Sequence, residues 1–340
     1  MLQKLPDEGL QVLLQLCNRS WSHAECPSQW RTATIVPLLK SGKPPEEIGS
    51  YRPVSLTSCV AKCCERLVQA RLRFWLETNS KLNPAQAGFR ANRSTEEHVA
   101  RVAQFAMDGL NAQPRMERTL VTLVDFSRAY DRVWKRGLLA KMRTMGVPAC
   151  FCRWIANFLA DRRAAVKWGA TIGSQRTLKE GLPQGCVISP LLWLIYMEDI
   201  REAFTAFPGL ELMFADDLAL SLRGPASRDL ATKMQEALDA LVRWCDKWSV
   251  IVCVEKTESV LISTDPAENG GKFDPHLHVH GQPIRASPNP VFLGVTLDSQ
   301  LGFGAHAAKI QQRIARRTNL LKRLRGVSRG DRLELLLKGS

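Results

Sequence analysis

The sequence lacks the spacings that hold zinc. Its ten cysteines include no two pairs in CxxC…CxxC spacing and no matching Cys/His set, which excludes a zinc ribbon or finger. Without such partners the thiols read as reduced core residues of an intracellular protein. His276, His278 and His280 could share one strand face, but no further metal ligand accompanies them. No apolar run reaches the roughly 18 residues that a membrane helix requires. The opening MLQKLPDEGLQ has no apolar segment of the signal-peptide kind. No internal repeat or low-complexity linker interrupts the chain, so its subdomains are expected to share one continuous body.

What the sequence has in excess is positive charge. Lys and Arg number 47 against 33 Asp and Glu, a net +14 over 340 residues. A surplus of that size fits a polyanionic partner, nucleic acid before membrane. The length allows a large core in two or three subdomains.

The chain is organised around residues 210–222, LELMFADDLALSL. Two alternating apolar runs read as strands, and Asp216 and Asp217 sit at the turn between them. An Asp-Asp pair alone is an ordinary acidic turn. Neighbouring side chains on an extended backbone point opposite ways, so Asp216 is expected to project into a site with Asp217 in support. A second acid, Asp125, closes the apolar run of residues 119–126, which predicts a buried central strand. A charge there is costly unless it is paired or bound to metal.

The remaining pattern is mixed. Leu10, Leu13, Leu14 and Cys17 predict an opening helix. Residues 32–39 predict a strand in which Pro37 marks an edge or bulge. A basic loop follows, and Lys40, Lys43 and Arg52 could close on a phosphate chain. Ser58 is expected to cap a helix with Val60, Cys64, Leu67, Val68, Leu72 and Trp75 inward. Ser94 with Glu97 forms a capping box ahead of a helix burying Val99, Val102, Phe105 and Leu110. Helices are expected around Trp154 and along 188–197, and a hairpin over 164–179. Gly181 and Gly185 bracket a loop able to lie against a planar ligand. Ser227 is expected to cap a long helix. A strand pair is expected around Lys256, and another strand at 291–295. From Lys309 to Arg332 nine Lys/Arg stand against one Asp, an amphipathic basic helix that either tracks a polyanion backbone or is a solvated face.

Converging carboxylates without His or Cys suit a hard ion such as Mg²⁺. Two such ions would clamp the attacking and leaving oxygens of a phosphoryl transfer.

These residues stand in a recognisable order: Asp125 with Tyr130, Leu182-Pro-Gln-Gly185, Phe214-Ala-Asp-Asp217, Lys256, and Phe292-Leu-Gly294. The order resembles the reverse transcriptase domain. Tyr51-Arg-Pro-Val-Ser-Leu56 and Gln86-Ala-Gly-Phe-Arg90 with Ser94-Thr95 resemble the additional N-terminal blocks of non-LTR retrotransposon polymerases, the kinetoplastid ingi-like branch being one candidate relative. The likeness covers roughly residues 25–320. It implies an α+β right-hand polymerase fold: N-terminal extension and fingers (1–112), a first palm segment (113–133), a fingers insertion (134–180), the main palm (181–298) and the start of a truncated basic helical thumb (299–340).

The likeness also implies roles. Asp125 and Asp216 would bind two Mg²⁺ ions, with Mn²⁺ a possible substitute and Asp217 in support. Tyr130 would lie under the incoming sugar and exclude a 2′-OH. Gln184 and Gly185 would touch nucleotide and template, and Lys40 and Arg52 would hold the triphosphate. Lys256 would be either a general acid on the leaving pyrophosphate or an exposed strand-end lysine. Phe292, Leu293 and Gly294 would grip the primer. The implied partners are an RNA template, a DNA primer and dNTPs, without membrane, and the implied place of action is the nucleus. Cys253 stands where many relatives carry Asn. No endonuclease, RNase H or zinc knuckle is evident, so the chain is expected to be part of a longer reading frame. A group II intron-type reverse transcriptase and a decayed, non-catalytic nucleic-acid scaffold are the alternatives.

Overall fold

The computed structural model describes residues 5–325. Two five-stranded sheets hold most of the strands, with two small two-stranded ladders beside them. The first starts with β1 (Thr32–Leu39) and β2 (Tyr51–Leu56), antiparallel, with Thr34 facing Leu56 and Leu39 facing Tyr51. Helix α1 (Asp7–His23) precedes them; α2 (Cys59–Thr78) and α3 (Thr95–Leu110) follow. β3 (Arg118–Asp125) then opens the second sheet. After α4 (Lys135–Thr144) and α5 (Ala149–Leu159), β4 (Arg163–Trp168) returns to the first sheet, parallel to β1. The short β5 (Thr171–Ile172) and β6 (Arg176–Thr177) fold back on β4. The parallel ladder stops at Ile35, so Pro37 lies where β1 has no partner on that side, as a strand proline requires.

Helix α6 (Ser189–Tyr196) buries every side chain except Pro190. A helix apolar all round belongs inside a core. Then come β7 (Leu210–Phe214), β8 (Asp217–Gly224), α7 (Ser227–Trp248) and β9 (Glu258–Ile262). The second sheet runs Arg285–Ala286, β9, β3, β8, β7, so β3 is its central strand. That position explains its continuous apolar run: Leu120, Val121, Leu123 and Val124 are buried on both faces. One face rests on the main core with α6 and α7. The other holds Val102, Val121, Ala219, Ile262 and Phe292.

The structure corrects several expectations. In α1 only Cys17 and Ser20 are buried, and Leu10 and Leu14 are exposed. In α2 the inward face runs through Ala61, Cys64, Glu65, Val68, Leu72 and Leu76, leaving Val60 and Leu67 exposed. A carboxylate, Glu65, takes an inward position that an apolar pattern cannot reveal. Ser227 does not cap α7: the N-cap is Ala226, and the Ser227 hydroxyl donates to Glu268. Ser58 and Ser94 do cap their helices, accepting from Ala61 N and Glu97 N. Residues 291–296 form a tight hairpin rather than one strand, with Leu293 and Gly294 both at positive φ. The three imidazoles part: His276 turns to Asp274 and His280 to Asp246. The basic helix is α8 (Gly304–Arg325), which begins before Lys309; the expected stretch from 326 to 332 lies outside the described residues. Among the described residues no helix is long and apolar enough to cross a membrane.

Candidate active site

Asp125 ends β3 and Asp217 begins β8, and the ladder sets them directly opposite. Opposed residues of an antiparallel pair project from the same face, with Cβ atoms about 4.5–5.5 Å apart. Phe214 also faces Asp217, so Ala215 and Asp216 alone make the turn. The carboxylate cluster is therefore built by register: one acid at the end of the central strand, two at the tip of the adjoining hairpin.

Like charges at that spacing cost roughly 3 kcal/mol at an effective dielectric of 20 and under 1 in water. Burial and the Asp125 charge raise the Asp216 carboxyl above its usual range, against its own backbone N–H, Lys256 and Arg52. For Asp217, partial burial and the charges of Asp216 and Asp125 push the acid up to about 6. Its side chain is exposed on one side, so solvent screens part of that repulsion.

Lys256 offsets the cluster. It sits in the single 3-10 turn Val254–Lys256 ahead of β9, not in the expected strand pair. Its ammonium lies 3.0 and 3.3 Å from the two Asp125 oxygens. Partial burial pulls its pKa down, but the Asp125 hydrogen bond and charge outweigh that and hold it above the ordinary value.

The loop around Gln184 closes one side. Ser55 N donates to Gln184 O at 2.6 Å, which pins the loop to β2. Gly185 has φ +109°, and a Cβ there would stand 2.8 Å from Ser55 O; only glycine fits. The Gln184 amide donates to Asp131 at 3.2 Å. Glu65 supports the loop from α2, accepting from Val187 N and Ile188 N, while Gln69 donates to Val187 O.

Tyr130 stacks on buried Trp193, ring centroids 5.6 Å apart and planes 20° off parallel. Burial and then the Asp216 charge raise its phenol, so the hydroxyl stays protonated. Arg52, exposed on β2, is among the charges acting on Asp216. Lys40 is not brought in: its ammonium donates to Gly49 O within its own loop. Phe292 is buried at the tip hairpin against the second core, with Leu293 half-buried and Gly294 exposed.

Ala215 is the strained point of the site, at φ +59°, a region that costs a residue with a Cβ roughly 1–2 kcal/mol. A two-residue hairpin turn with positive φ first usually has glycine there. The conformation is held from outside. Ala215 N donates to the Gln86 side-chain oxygen at 2.9 Å, and Ala215 O accepts from Trp193 Nε1 at 2.9 Å and from Gln86 Nε2 at 3.2 Å. Sequence pattern alone does not mark Gln86, Trp193 or Glu65 as site residues. Gln86 stood in a named motif; Trp193 and Glu65 gave no local signal.

An all-carboxylate donor set fits a hard divalent ion. Among the described residues no three acidic, His or Cys side chains are arranged to hold an ion alone. Mg²⁺ completes such a partial set with waters and substrate phosphates.

Comparison with known proteins supplies the context. The solved telomerase from Candida tropicalis matches with a TM-score of 0.57 at 13% identity, over 86% of this chain and 48% of that one. A Candida albicans telomerase matches at 0.54 and 12% identity, over 87% of this chain and 49% of that one. These likenesses give the fold, α+β of the right-hand polymerase type. The RNA-directed DNA polymerase from mobile element jockey of Drosophila melanogaster is 30% identical over 319 residues, 92% of this chain and 34% of that protein. A probable RNA-directed DNA polymerase from transposon BS of the same organism is 31% identical over 333 residues, 94% of this chain and 35% of that protein. The chain thus spans about a third of the length of the curated relatives it matches. The family described as reverse transcriptase (RNA-dependent DNA polymerase) matches residues 39–297. With that match and the polymerase fold beneath its carboxylate cluster, the chain belongs to the reverse transcriptase family.

Proposed function

We propose that this chain is the polymerase domain of a non-LTR retrotransposon protein, extending a DNA primer 3′-OH on an RNA template with dNTPs. The observation that carries the reading is the register-built cluster of Asp125, Asp216 and Asp217, flanked by Lys256 and Arg52. Two fixed features support it: the Gln184–Gly185 loop pinned to β2 and the Tyr130 ring stacked on Trp193. The first sheet is read as fingers, the second as palm, and α8 as the start of a thumb.

Asp125 and Asp216 would hold two Mg²⁺ ions, or Mn²⁺ in their place, with Asp217 opposite Asp125 adding charge. Bound divalent cations supply activation of the primer hydroxyl and neutralise the triphosphate. The residues themselves do the rest. Lys256 balances Asp125 until substrate arrives, and its elevated pKa in that pair makes it a charge partner before it can serve as an acid. Arg52 takes the outer phosphates bidentately, joined by Lys40 once it releases Gly49. The Tyr130 ring, fixed by Trp193, sits beneath the sugar and crowds a 2′-OH. The hairpin of Phe292, Leu293 and Gly294 presents the primer end, with Phe292 as its root.

Primer extension on an RNA template with dNTPs and Mg²⁺ tests this, with Asp216→Asn as control. Extension that disappears in the variant supports the reading. Salt-dependent template–primer binding without extension favours the scaffold alternative, against which all three acids being present now speaks. Splicing-dependent activity would favour the intron-type alternative.

A further inference from the structure

The motif Gln86-Ala-Gly-Phe-Arg90 takes no part in the chemistry proposed above, yet it reaches the turn that carries Asp216. Residues 85–87 run alongside β7 as an added edge. Met213 N donates to Ala85 O at 2.9 Å, and Ala87 N donates to Met213 O at 2.8 Å. From that edge the buried Gln86 side chain reaches the turn itself. Its oxygen accepts from Ala215 N at 2.9 Å and Gly88 N at 2.8 Å, and its nitrogen donates to Ala215 O at 3.2 Å. The approach is so close that a Cβ on Gly88 would stand 2.1 Å from Ala215 N.

The edge is itself fixed at three points. Arg90 binds both oxygens of Glu77 on α2 and donates to Asn83 O and Gln86 O. Glu198 accepts from Asn83 N. His98 on α3, fully buried, lies 2.9 Å from Ala85 O and 3.1 Å from Met213 O. Burial lowers the His98 pKa, so the ring is neutral; donating from Nε2, it bridges the two carbonyls. A rigid support bearing a side chain on both polar groups of one strained residue is a positioning device.

We infer that Gln86 is a positioning residue, whose amide clamps Ala215 in its left-handed conformation and so sets Asp216 and Asp217 beside Asp125. The inference rests on the polymerase reading for its consequence in catalysis, but not for its effect on the acids. A buried glutamine that merely satisfied backbone groups would affect stability alone. A clamp affects the acids, and its loss is compensated by glycine at position 215, which takes up positive φ without strain.

The test is a cycle of four full-length chains: parent, Gln86→Met, Ala215→Gly, and both together. Thermal melting fixes a temperature at which all four are folded. There, Mn²⁺ affinity is measured by electron paramagnetic resonance, and single-nucleotide incorporation and template–primer affinity are measured beside it. Expected in Gln86→Met is about a tenfold loss in Mn²⁺ affinity and in incorporation rate, with template–primer affinity within about twofold. Adding Ala215→Gly recovers about threefold or more of each loss, a larger effect than it has on the parent. Where Gln86→Met does not fold, Gln86→Glu, which keeps the acceptor oxygens, replaces it in the cycle. Unchanged Mn²⁺ affinity and rate in Gln86→Met overturn the inference, as does a loss that Ala215→Gly leaves unaltered. If the parent binds Mn²⁺ but incorporates nothing, the polymerase reading fails while the Mn²⁺ cycle still decides the role of Gln86. If the parent binds no Mn²⁺, both fall.

Discussion

Asp217 faces Asp125 across the β3–β8 ladder, and Lys256 is bound to Asp125 from the turn ahead of β9. Two carboxylates in register on one face, with a third at the turn and one ammonium between them, leave the cluster under-neutralised. The protein accepts that repulsion at the point where a cation can relieve it.

Asp217→Asn is therefore expected to stabilise the metal-free chain while impairing it. Removing one of three crowded charges relieves roughly 1 kcal/mol at an exposed site, a rise in Tm of about 2 °C for a chain of this size. Mg²⁺ should raise the Tm of the parent more than that of the variant. Differential scanning fluorimetry with and without Mg²⁺, beside primer extension falling by about tenfold or more, checks both halves. A variant that melts lower without metal contradicts the repulsion.

The same cluster sets a pH dependence. The Asp217 acid rises from 3.8 unfolded to about 6 folded. A raised carboxyl contributes stability that is fully present below 3.8 and lost as pH climbs through about 6. On the proposed reading activity runs the other way, since only the ionised acids would hold cations. Extension rates at fixed Mg²⁺ are expected to fall on acidification with an apparent pKa near 6, and raising Mg²⁺ should move that value down. A rate profile flat between about pH 5 and 7 would count against it.

Tyr130 carries the sugar-selection proposal. Its ring is held flat on Trp193, so Tyr130→Phe should keep dNTP preference almost intact. Tyr130→Ala opens the space and should lower discrimination against rNTPs by about tenfold or more. Competitive incorporation of matched dNTP and rNTP measures the ratio directly.

Lys141 provides a prediction away from the acids. Its ammonium is buried 2.5 Å from Asp199, above the rings of Trp248, Trp244 and Tyr196. Burial lowers its pKa to about 8, against the Asp199 charge. Lys141→Met keeps the volume but leaves the partly exposed Asp199 with only the Trp244 Nε1 hydrogen bond at 3.0 Å, and should cost about 2 kcal/mol. The double variant with Asp199→Leu should recover much of that loss, as denaturant melts can show.

The parts of this fold legible in sequence are those with local causes. The alternating runs around Asp216 and the apolar run ending at Asp125 specify strands by period and composition, and Ser58 and Ser94 specify helix starts by hydrogen bonding to their own backbone. The illegible parts depend on distant partners. Gln86 reaches Ala215 across 129 positions, and nothing near either residue signals the contact. Glu65 looks like a solvent residue until the backbone of Val187 and Ile188 arrives beside it. Ser227 carries cap chemistry, but Glu268 competes for its hydroxyl. Lys40 has the charge for a phosphate site, yet its loop folds it back on Gly49.

The strand order has a consequence for inheritance. The chain lays down β1 and β2, leaves to place β3 at the centre of the other sheet, returns for β4, and leaves again for β7 and β8. A single recombination breakpoint anywhere between β1 and the Arg285–Ala286 strand would force strands of two parents to pair within one sheet. Exchange between mobile elements should then preserve this stretch as one block, with viable junctions gathered outside it.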